Sequence, residues 1–177
     1  MLNEPEKKIL KRLLQKMEWP LDRDVFYALV KSVATVGIEC AVLDSVDRLL
    51  MIYRRDREYV GWHIPGTILR NAESISDAIR RIRTKELNGT VISAPINIGW
   101  VETTRGTGPD QDPNRHVISL IFLTRLKQTY LGQGKFFDLD NPPRGIINTH
   151  YRLLRLIKDG LLKINKHPPI VSGVGKS

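Results

Sequence analysis

The sequence has little of several features that would place it in a class at once. It contains a single cysteine, Cys40, among 177 residues, so a disulfide within the chain and a cysteine-based metal site are both excluded. Its apolar runs fall far short of the ~20 residues that a membrane-spanning helix needs. The first residues also lack the apolar segment of a signal peptide. We therefore expect a cytoplasmic protein that has no membrane partner.

The composition is that of an ordinary globular protein with a basic surface. Hydrophobic residues make up 41% of the chain and charged residues 27%, which suits one domain with a sizeable core. The net charge of +9 favours anionic partners such as nucleotides, nucleic acid or phosphorylated metabolites. Solubility alone explains the charge equally well. No stretch interleaves basic and aromatic residues as a nucleic-acid interface does, so nucleic acid stays an unspecified partner.

Hydrophobic periodicity predicts two helices at the start of the chain, over 5–17 and from Asp22 or Asp24 to about Ser32. The apolar residues of the second helix are expected to pack inward: Val25, Phe26, Leu29, Val30 and Val33. Strands are predicted over 36–43, 48–53, 59–64, 96–103, 116–126 and 136–139, with one more near Val91. Further helices are predicted over 74–87 and from about 145 to 158 or beyond. This order indicates a single α/β domain with a mixed sheet between helices.

The stretch 61–89 carries the candidate chemistry. Its pattern predicts the end of a strand, a glycine turn, a loop, a helix and a glycine stop. Apolar residues at helical spacing form one face of that helix, and Glu86 falls on the same face, four residues after Ile82. A carboxylate on an apolar stripe is costly unless something pairs with it or binds it. Glu86 is therefore the first candidate for a functional residue.

This stretch resembles the motif of the Nudix hydrolases, G-x5-E-x7-R-E-U-x-E-E-x-G-U, in which U is aliphatic. The register is set by Glu73, by Arg81 after seven intervening residues, and by Glu86 five positions further on. The segments WHIPGT at 62–67 and FFDLDNP at 136–142 also resemble segments that flank the motif in this family. The likeness covers roughly 21–158.

The resemblance implies a fold and a domain organisation. The expected fold is a Nudix-type α/β/α sandwich with a mixed sheet and an N-terminal helical extension. We expect the helical segment over 1–20, the Nudix-like domain over 21–166 and a flexible tail over 167–177.

Several positions of the motif hold other residues than the family pattern requires. Thr67 replaces the motif glycine, Ile82 the first glutamate after the arginine, and Lys85 the first of the paired glutamates. Asn88 stands where the last glycine belongs. In most family members the missing glutamates help to bind divalent cations that bridge a diphosphate and activate water. The departures weaken the usual reaction with several metal ions.

One branch of the family, the GDP-mannose mannosyl hydrolases, also lacks these two glutamates and resembles the chain better. That branch binds one Mg²⁺ ion, and its three protein ligands correspond by position to Gly66, Glu86 and Gln133. Arg81 is implied to orient a motif glutamate, so Glu86 and Arg81 are the catalytic candidates. The histidine base of that branch has no counterpart after Gln133, and Ile68 replaces a phosphate-binding arginine.

Basic residues before the motif, and one histidine after the long polar loop, are candidates for binding substrate. They are Arg54, Arg55, Arg57 and His116. A solvated turn explains the arginines equally well, and packing at a strand edge is the alternative for the histidine. Glu73 is expected to be structural, at the start of the helix and paired with Arg81.

Two functions remain open from the sequence. The first is a Mg²⁺-dependent hydrolase, with Mn²⁺ as the other candidate ion, that acts on a nucleoside-diphosphate derivative and in particular on a nucleotide sugar similar to GDP-mannose. The second is a Nudix-fold module that has lost catalysis and binds a nucleotide, RNA or a protein partner. The missing glutamates, the missing base and the charge favour the second. A homodimer is compatible with either.

Overall fold

The computed structural model describes residues 2–56, 58–108 and 110–166. The candidate Arg57 and the predicted tail at 167–177 lie outside the described residues. Within the described ranges no helix combines the length and the apolar character that crossing a membrane requires.

A mixed sheet forms the centre of the domain. Its strands in the described residues are β1 (Ala34–Leu43), β2 (Leu49–Arg55), β3 (Val60–His63), β4 (Gly66–Ile68), β5 (Ile96–Thr103), β6 (His116–Arg125) and β7 (Lys135–Phe137). Their order is β3-β2-β1-β6-β5, while β4 pairs with β1 and β7 with β2. The central strands β1 and β6 are parallel, and the other pairs are antiparallel. This arrangement confirms the predicted mixed sheet.

Helices cover both faces of the sheet. They are α1 (Glu4–Gln15), α2 (Arg23–Ser32), α3 (Ile75–Lys85) and α4 (His150–Lys166) in the described part of the chain. Because side chains alternate along a strand, Ala41 and Leu43 of β1 pack in the core under α4. Cys40 and Val42 pack in the core under α3. The α/β/α layers and the fold class are therefore as predicted.

The N-terminal helices pack less tightly than their patterns predict. No residue of α1 is buried, although its apolar residues share one side of the helix. In α2, Val30 is buried, but Val25 is 45% exposed and Val33 47% exposed. The prediction for these two residues is wrong, because Val25 belongs to the outward side of the first turn and Val33 already has extended backbone leading into β1.

Four element boundaries differ from the prediction near the site, and one of them is the start of α4, which lies at His150 instead of about residue 145. The segment at Gly66 was expected to be a turn, but it forms β4 because β1 offers it a pairing partner. The helix α3 ends at Lys85, and Glu86 is its C-cap residue instead of a residue within the helix. The predicted strand near Val91 is reduced to a bridge between Ile92 and Leu126.

Candidate active site

The site is built around Gly66, the first residue of β4. Gly66 lies opposite Glu39 in the β1–β4 pairing, and its backbone N–H donates a hydrogen bond to Oε2 of Glu86 over 3.2 Å. A Cβ atom at this position would overlap the carboxylate of Glu39. A side chain at this position would therefore displace the Glu39 carboxylate from its place beside the backbone of Gly66.

The carboxyl groups of Glu39 and Glu86 have perturbed ionisation. Burial raises the pKa of Glu39 to about 8, and the charge of Glu86 adds to the rise. Burial raises the pKa of Glu86 to about 7, against the lowering effects of the Gly66 hydrogen bond and of Arg54. Glu39 also accepts a long hydrogen bond of 3.4 Å from the hydroxyl of Ser119. Two facing carboxylates that are costly to ionise together are a candidate site for a cation or for proton transfer.

Two cavities meet at Gly66, Arg54 and His63. We call the first the Glu39 cavity; its volume is about 240 Å³, and its walls come from β1, β6, the long loop before β6 and the start of α4. We call the second the Glu86 cleft; its volume is about 660 Å³. Gln133 and Lys85 line the Glu86 cleft. A ligand made of two parts can therefore reach both spaces across Gly66.

The structure brings some of the predicted site residues together. Gly66, Glu86, Gln133 and Arg54 all line the Glu86 cleft, although Gln133 and Arg54 belong to separate segments of the chain. The Nε atom of Arg54 donates to Asp56 over 2.5 Å, and Arg54 also lines the Glu39 cavity.

Arg55 and His116 lie outside both cavities. Side chains alternate along β2, so Arg55 is exposed on the side away from Arg54. The Nε2 atom of His116 lies 2.9 Å from Oε1 of Glu102. The residues of β6 that line the Glu39 cavity are instead Val117 and Ser119.

Arg81 fixes the loop between β4 and α3. Its Nε and Nη2 atoms donate to the two carboxylate oxygens of Glu73 over 2.8 and 2.7 Å. Nη1 donates to the hydroxyl of Thr67 over 2.5 Å and Nη2 to the carbonyl of Ile68 over 3.0 Å. These bonds from Arg81, together with the N–H of Arg70, hold the pKa of Glu73 below its usual value. The expected Glu73–Arg81 pair is present, and Arg81 also binds Thr67 and Ile68, the two residues of β4 that follow Gly66.

Two departures from the motif are accommodated by local structure. Thr67, in place of glycine, supplies the hydroxyl that Arg81 binds. Asn88, in place of the last glycine, has a φ of 51°, a left-handed conformation that asparagine adopts more readily than most residues. Both substitutions therefore preserve the geometry of the loop and of the helix end.

Glu39 is the main site residue that the sequence argument missed. It lies in the middle of a strand whose neighbours Ile38 and Cys40 are fully buried. The signal that singled out Glu86, a carboxylate within an apolar pattern, is present here too. The apolar residues around Glu39 predict an ordinary buried strand, and this pattern does not indicate a functional carboxylate.

The long polar loop before β6 forms part of the Glu39 cavity. Tyr59 donates its hydroxyl to Asp112 over 2.7 Å, and Nε of Arg115 donates to the Tyr59 oxygen over 3.0 Å. Asp112 is 5% exposed. These bonds tie the loop to the segment before β3 and fix that wall of the cavity.

The residues present suit one hard divalent cation. Mg²⁺ keeps several water ligands and binds proteins through one or two carboxylates plus substrate phosphates. Glu86 supplies a carboxylate beside Gly66, and Gln133 brings a side-chain amide to the same cleft. The described residues contain no group of three or more His, Cys, Asp and Glu side chains that could hold a metal ion. A Mg²⁺ ion held by Glu86 would therefore need phosphate and water to complete its ligands.

Comparison with known sequences finds one moderate similarity. No family model matches the chain. An ADP-ribose pyrophosphatase of Methanocaldococcus jannaschii is 28% identical over 110 residues, which are 58% of this chain. The chain spans 62% of the length of this curated relative.

Comparison with solved structures finds clear similarity of fold. A MutT Nudix hydrolase from Burkholderia pseudomallei superposes with a TM-score of 0.59 and 19% identity, covering 71% of this chain and 98% of that one. A MutT/Nudix family protein from Enterococcus faecalis gives 0.61 and 14%, covering 96% and 78%. The Nudix domain of Shewanella oneidensis NrtR, complexed with ADP ribose, gives 0.55 and 12%, covering 90% and 99%. The chain therefore has the fold of the Nudix hydrolases.

Proposed function

We propose that this protein hydrolyses nucleoside-diphosphate derivatives with the help of one Mg²⁺ ion. The observation that carries the proposal is the pair of half-buried carboxylates, Glu39 and Glu86, on the two sides of Gly66. Both have raised pKa values and both border a cavity. Residues in a cleft whose pKa values are shifted by burial and by a charged neighbour cluster at functional sites.

Each residue has a role in this proposal. Glu86, the backbone of Gly66 and Gln133 would hold Mg²⁺, or Mn²⁺ in its place. The bound ion would polarise the diphosphate. Arg54 would contact the phosphate oxygens, since it faces both cavities across Gly66. Lys85, at the end of α3, adds positive charge to the same cleft.

Glu39 would act as the proton acceptor that the sequence comparison left unassigned. Its carboxylate borders the Glu39 cavity beside Gly66, and the hydroxyl of Ser119 orients it. A group whose pKa lies near the working pH is best suited to take the proton of an attacking water.

The finer proposal is that the substrate is a nucleotide sugar. The name of the archaeal relative and the ligand in the NrtR domain both refer to ADP-ribose, a nucleoside diphosphate joined to a sugar. GDP-mannose is a candidate substrate because the motif resembles that of the GDP-mannose mannosyl hydrolases.

A second candidate function is nucleotide binding without hydrolysis. It is favoured by the lack of a larger acidic cluster in the described residues and by the net charge of +9. In that case the same cavities would bind the ligand, and turnover would be absent.

Turnover assays distinguish the two functions. The protein is incubated with Mg²⁺ or Mn²⁺ and a panel of GDP-mannose, UDP-glucose, ADP-ribose and a diadenosine polyphosphate. We expect turnover that falls by about 100-fold or more in Glu86→Gln and Glu39→Gln. Glu86→Gln should also raise the Mg²⁺ concentration needed for half-maximal rate, whereas Glu39→Gln should lower kcat alone. The control Glu102→Gln changes an exposed glutamate of β5 and should retain activity. Absence of turnover, together with metal-independent binding that weakens with salt, would establish the second function instead.

A further inference from the structure

The Glu39 cavity contains two histidines that the proposed reaction does not use. His63 ends β3, and His150 begins α4. Their rings pack edge to face, with centroids 6.0 Å apart and an interplanar angle of 81°. Both line the Glu39 cavity, and both bind the backbone of the fully buried residue Ile64.

The backbone of Ile64 decides the tautomer of each ring. A carbonyl oxygen can only accept, and that of Ile64 lies 2.9 Å from Nδ1 of His63, so this Nδ1 carries a hydrogen. A backbone N–H can only donate, and that of Ile64 donates to Nδ1 of His150 over 3.2 Å, so this Nδ1 carries none. Burial lowers the pKa of His63 to about 4 and that of His150 to about 3. With both rings neutral, Nε2 of His63 is an acceptor and Nε2–H of His150 is a donor.

Apart from Glu39, the other polar groups of the cavity are hydroxyls or cations paired with a carboxylate, as Arg54 is with Asp56. Ser119, Thr103 and Thr149 line it. The guanidinium of Arg115 is balanced by Asp112, which lies 3.5 Å from its Nε. A phosphate would favour uncompensated cations, whereas sugar hydroxyls, each a donor and an acceptor, suit neutral groups of both kinds.

The position of the cavity agrees with this chemistry. It joins the Glu86 cleft at Gly66, Arg54 and His63, where the proposed function places the diphosphate. A group attached to the diphosphate therefore extends directly into the Glu39 cavity. Phe26 of α2 forms part of the wall and offers an apolar surface for one face of a sugar ring.

We infer that the Glu39 cavity binds the sugar half of a nucleoside-diphosphate sugar, with His63 accepting a hydrogen bond from one hydroxyl and His150 donating to another. This inference rests on the proposed function for the place of the diphosphate. It assigns both histidines to recognition of the substrate, with no part in proton transfer.

Metal-free binding measurements test the inference without requiring turnover. Calorimetry compares GDP-mannose, UDP-glucose and ADP-ribose with the β-methyl esters of GDP, UDP and ADP. Each ester carries the same charge as the matching sugar derivative and lacks the hydroxyls of the sugar that is attached to the β-phosphate. We expect at least one sugar derivative to bind about tenfold more tightly than its ester, as two well-placed hydrogen bonds would give.

Matched substitutions separate recognition from folding. His150→Asn places an amide oxygen near the Nδ1 position, where the N–H of Ile64 donates, and removes the donor at Nε2. His150→Gln instead places an amide near Nε2. We expect His150→Asn to abolish the preference for the sugar derivative and His150→Gln to keep part of it. Asn and Gln at His63 should behave in the same way. Tyr151→Asn, at an exposed neighbour on α4, should leave the preference unchanged.

Each outcome bears on the inference. Equal affinity for sugar derivative and ester, binding of neither, or an unchanged preference in both Asn variants would overturn it. Equal weakening of derivative and ester in His150→Asn would place the nucleoside in the cavity and would also overturn it. If the sugar preference depends on the histidines but no compound is turned over, the inference stands and the proposed hydrolysis fails.

Discussion

Two pairs of charged residues flank β4. One pair joins a carboxylate to a cation, and the other places two carboxylates near each other. On the loop side, Glu73 and Arg81 form two hydrogen bonds of 2.8 and 2.7 Å, and the pKa of Glu73 is lowered. On the cavity side, Glu39 and Glu86 face each other across Gly66, and burial raises the pKa of both. The first pair satisfies itself and stabilises the loop. The second has charge to share with a ligand, so the proposed chemistry belongs there.

The largest expected effect comes from breaking the satisfied pair. Arg81→Met should lower the free energy of unfolding by about 3 kcal/mol, because it leaves the mostly buried Glu73 carboxylate without its cation. Urea denaturation measures the change. The double variant Arg81→Met/Glu73→Gln should recover part of the loss. A single-variant loss below about 1 kcal/mol would mean that the pair is only a weak surface contact.

The next effect is a pH dependence of the metal-free protein, due to the unsatisfied pair. The folded pKa values of Glu39 and Glu86, about 8 and about 7, lie above the ordinary value of 4.5. The folded state therefore binds more protons, and stability falls as the pH rises from 6.5 to 8. Below 6.5 the lowered pKa values of His63 and His150 act in the opposite direction, since the unfolded state then binds more protons.

Denaturation midpoints at pH 6.5 and 8 measure this slope. It should disappear in the double variant Glu39→Gln/Glu86→Gln, and Mg²⁺ should reduce it because the ion binds the ionised form of Glu86. A slope that persists in the double variant would assign it to other groups.

Neutralising Glu39 is expected to stabilise the protein, by less than the loss of Arg81 destabilises it. At pH 8 without metal, Glu39→Gln should raise the free energy of unfolding by about 1 kcal/mol, because it removes a buried charge that faces Glu86. At pH 6.5 the gain should vanish, since Glu39 is then protonated in the folded state. Destabilisation at both pH values would show that Glu39 is satisfied by neighbours, as Glu73 is.

The smallest effect tests the hydrogen bond between β4 and Arg81. Thr67→Val keeps the shape of the side chain and removes the hydroxyl that accepts from Arg81, so it should cost about 1 kcal/mol. Thr67→Ser keeps the hydroxyl and should cost less. Equal stability of the two variants would show that Arg81 needs only Glu73 and the carbonyl of Ile68.

Local sequence was enough for much of the fold. Apolar periodicity predicted β5 at its observed bounds, and β6 and α3 within two residues, because the side chains of these elements repeat with the period of their structure. The same reasoning missed β4, since three residues after a proline carry no periodic signal. Their conformation depends on pairing with β1, which lies well before them in the chain.

The Glu73–Arg81 pair was likewise predictable, and the Glu39–Glu86 pair was not. The spacing of Glu73 and Arg81 across a loop and a helix determines that they meet, because both belong to one short segment. Glu39 and Glu86 lie on different elements, and only the pairing of β4 with β1 brings them to the two sides of Gly66. The sequence by itself thus determined the layers and the Glu73–Arg81 pair, and it singled out Glu86 as a candidate. The tertiary structure decided that Glu39 lies opposite Glu86 and that His63 and His150 line the Glu39 cavity. Burial, and the meeting of two carboxylates, arise only when strands that are distant in the sequence come together.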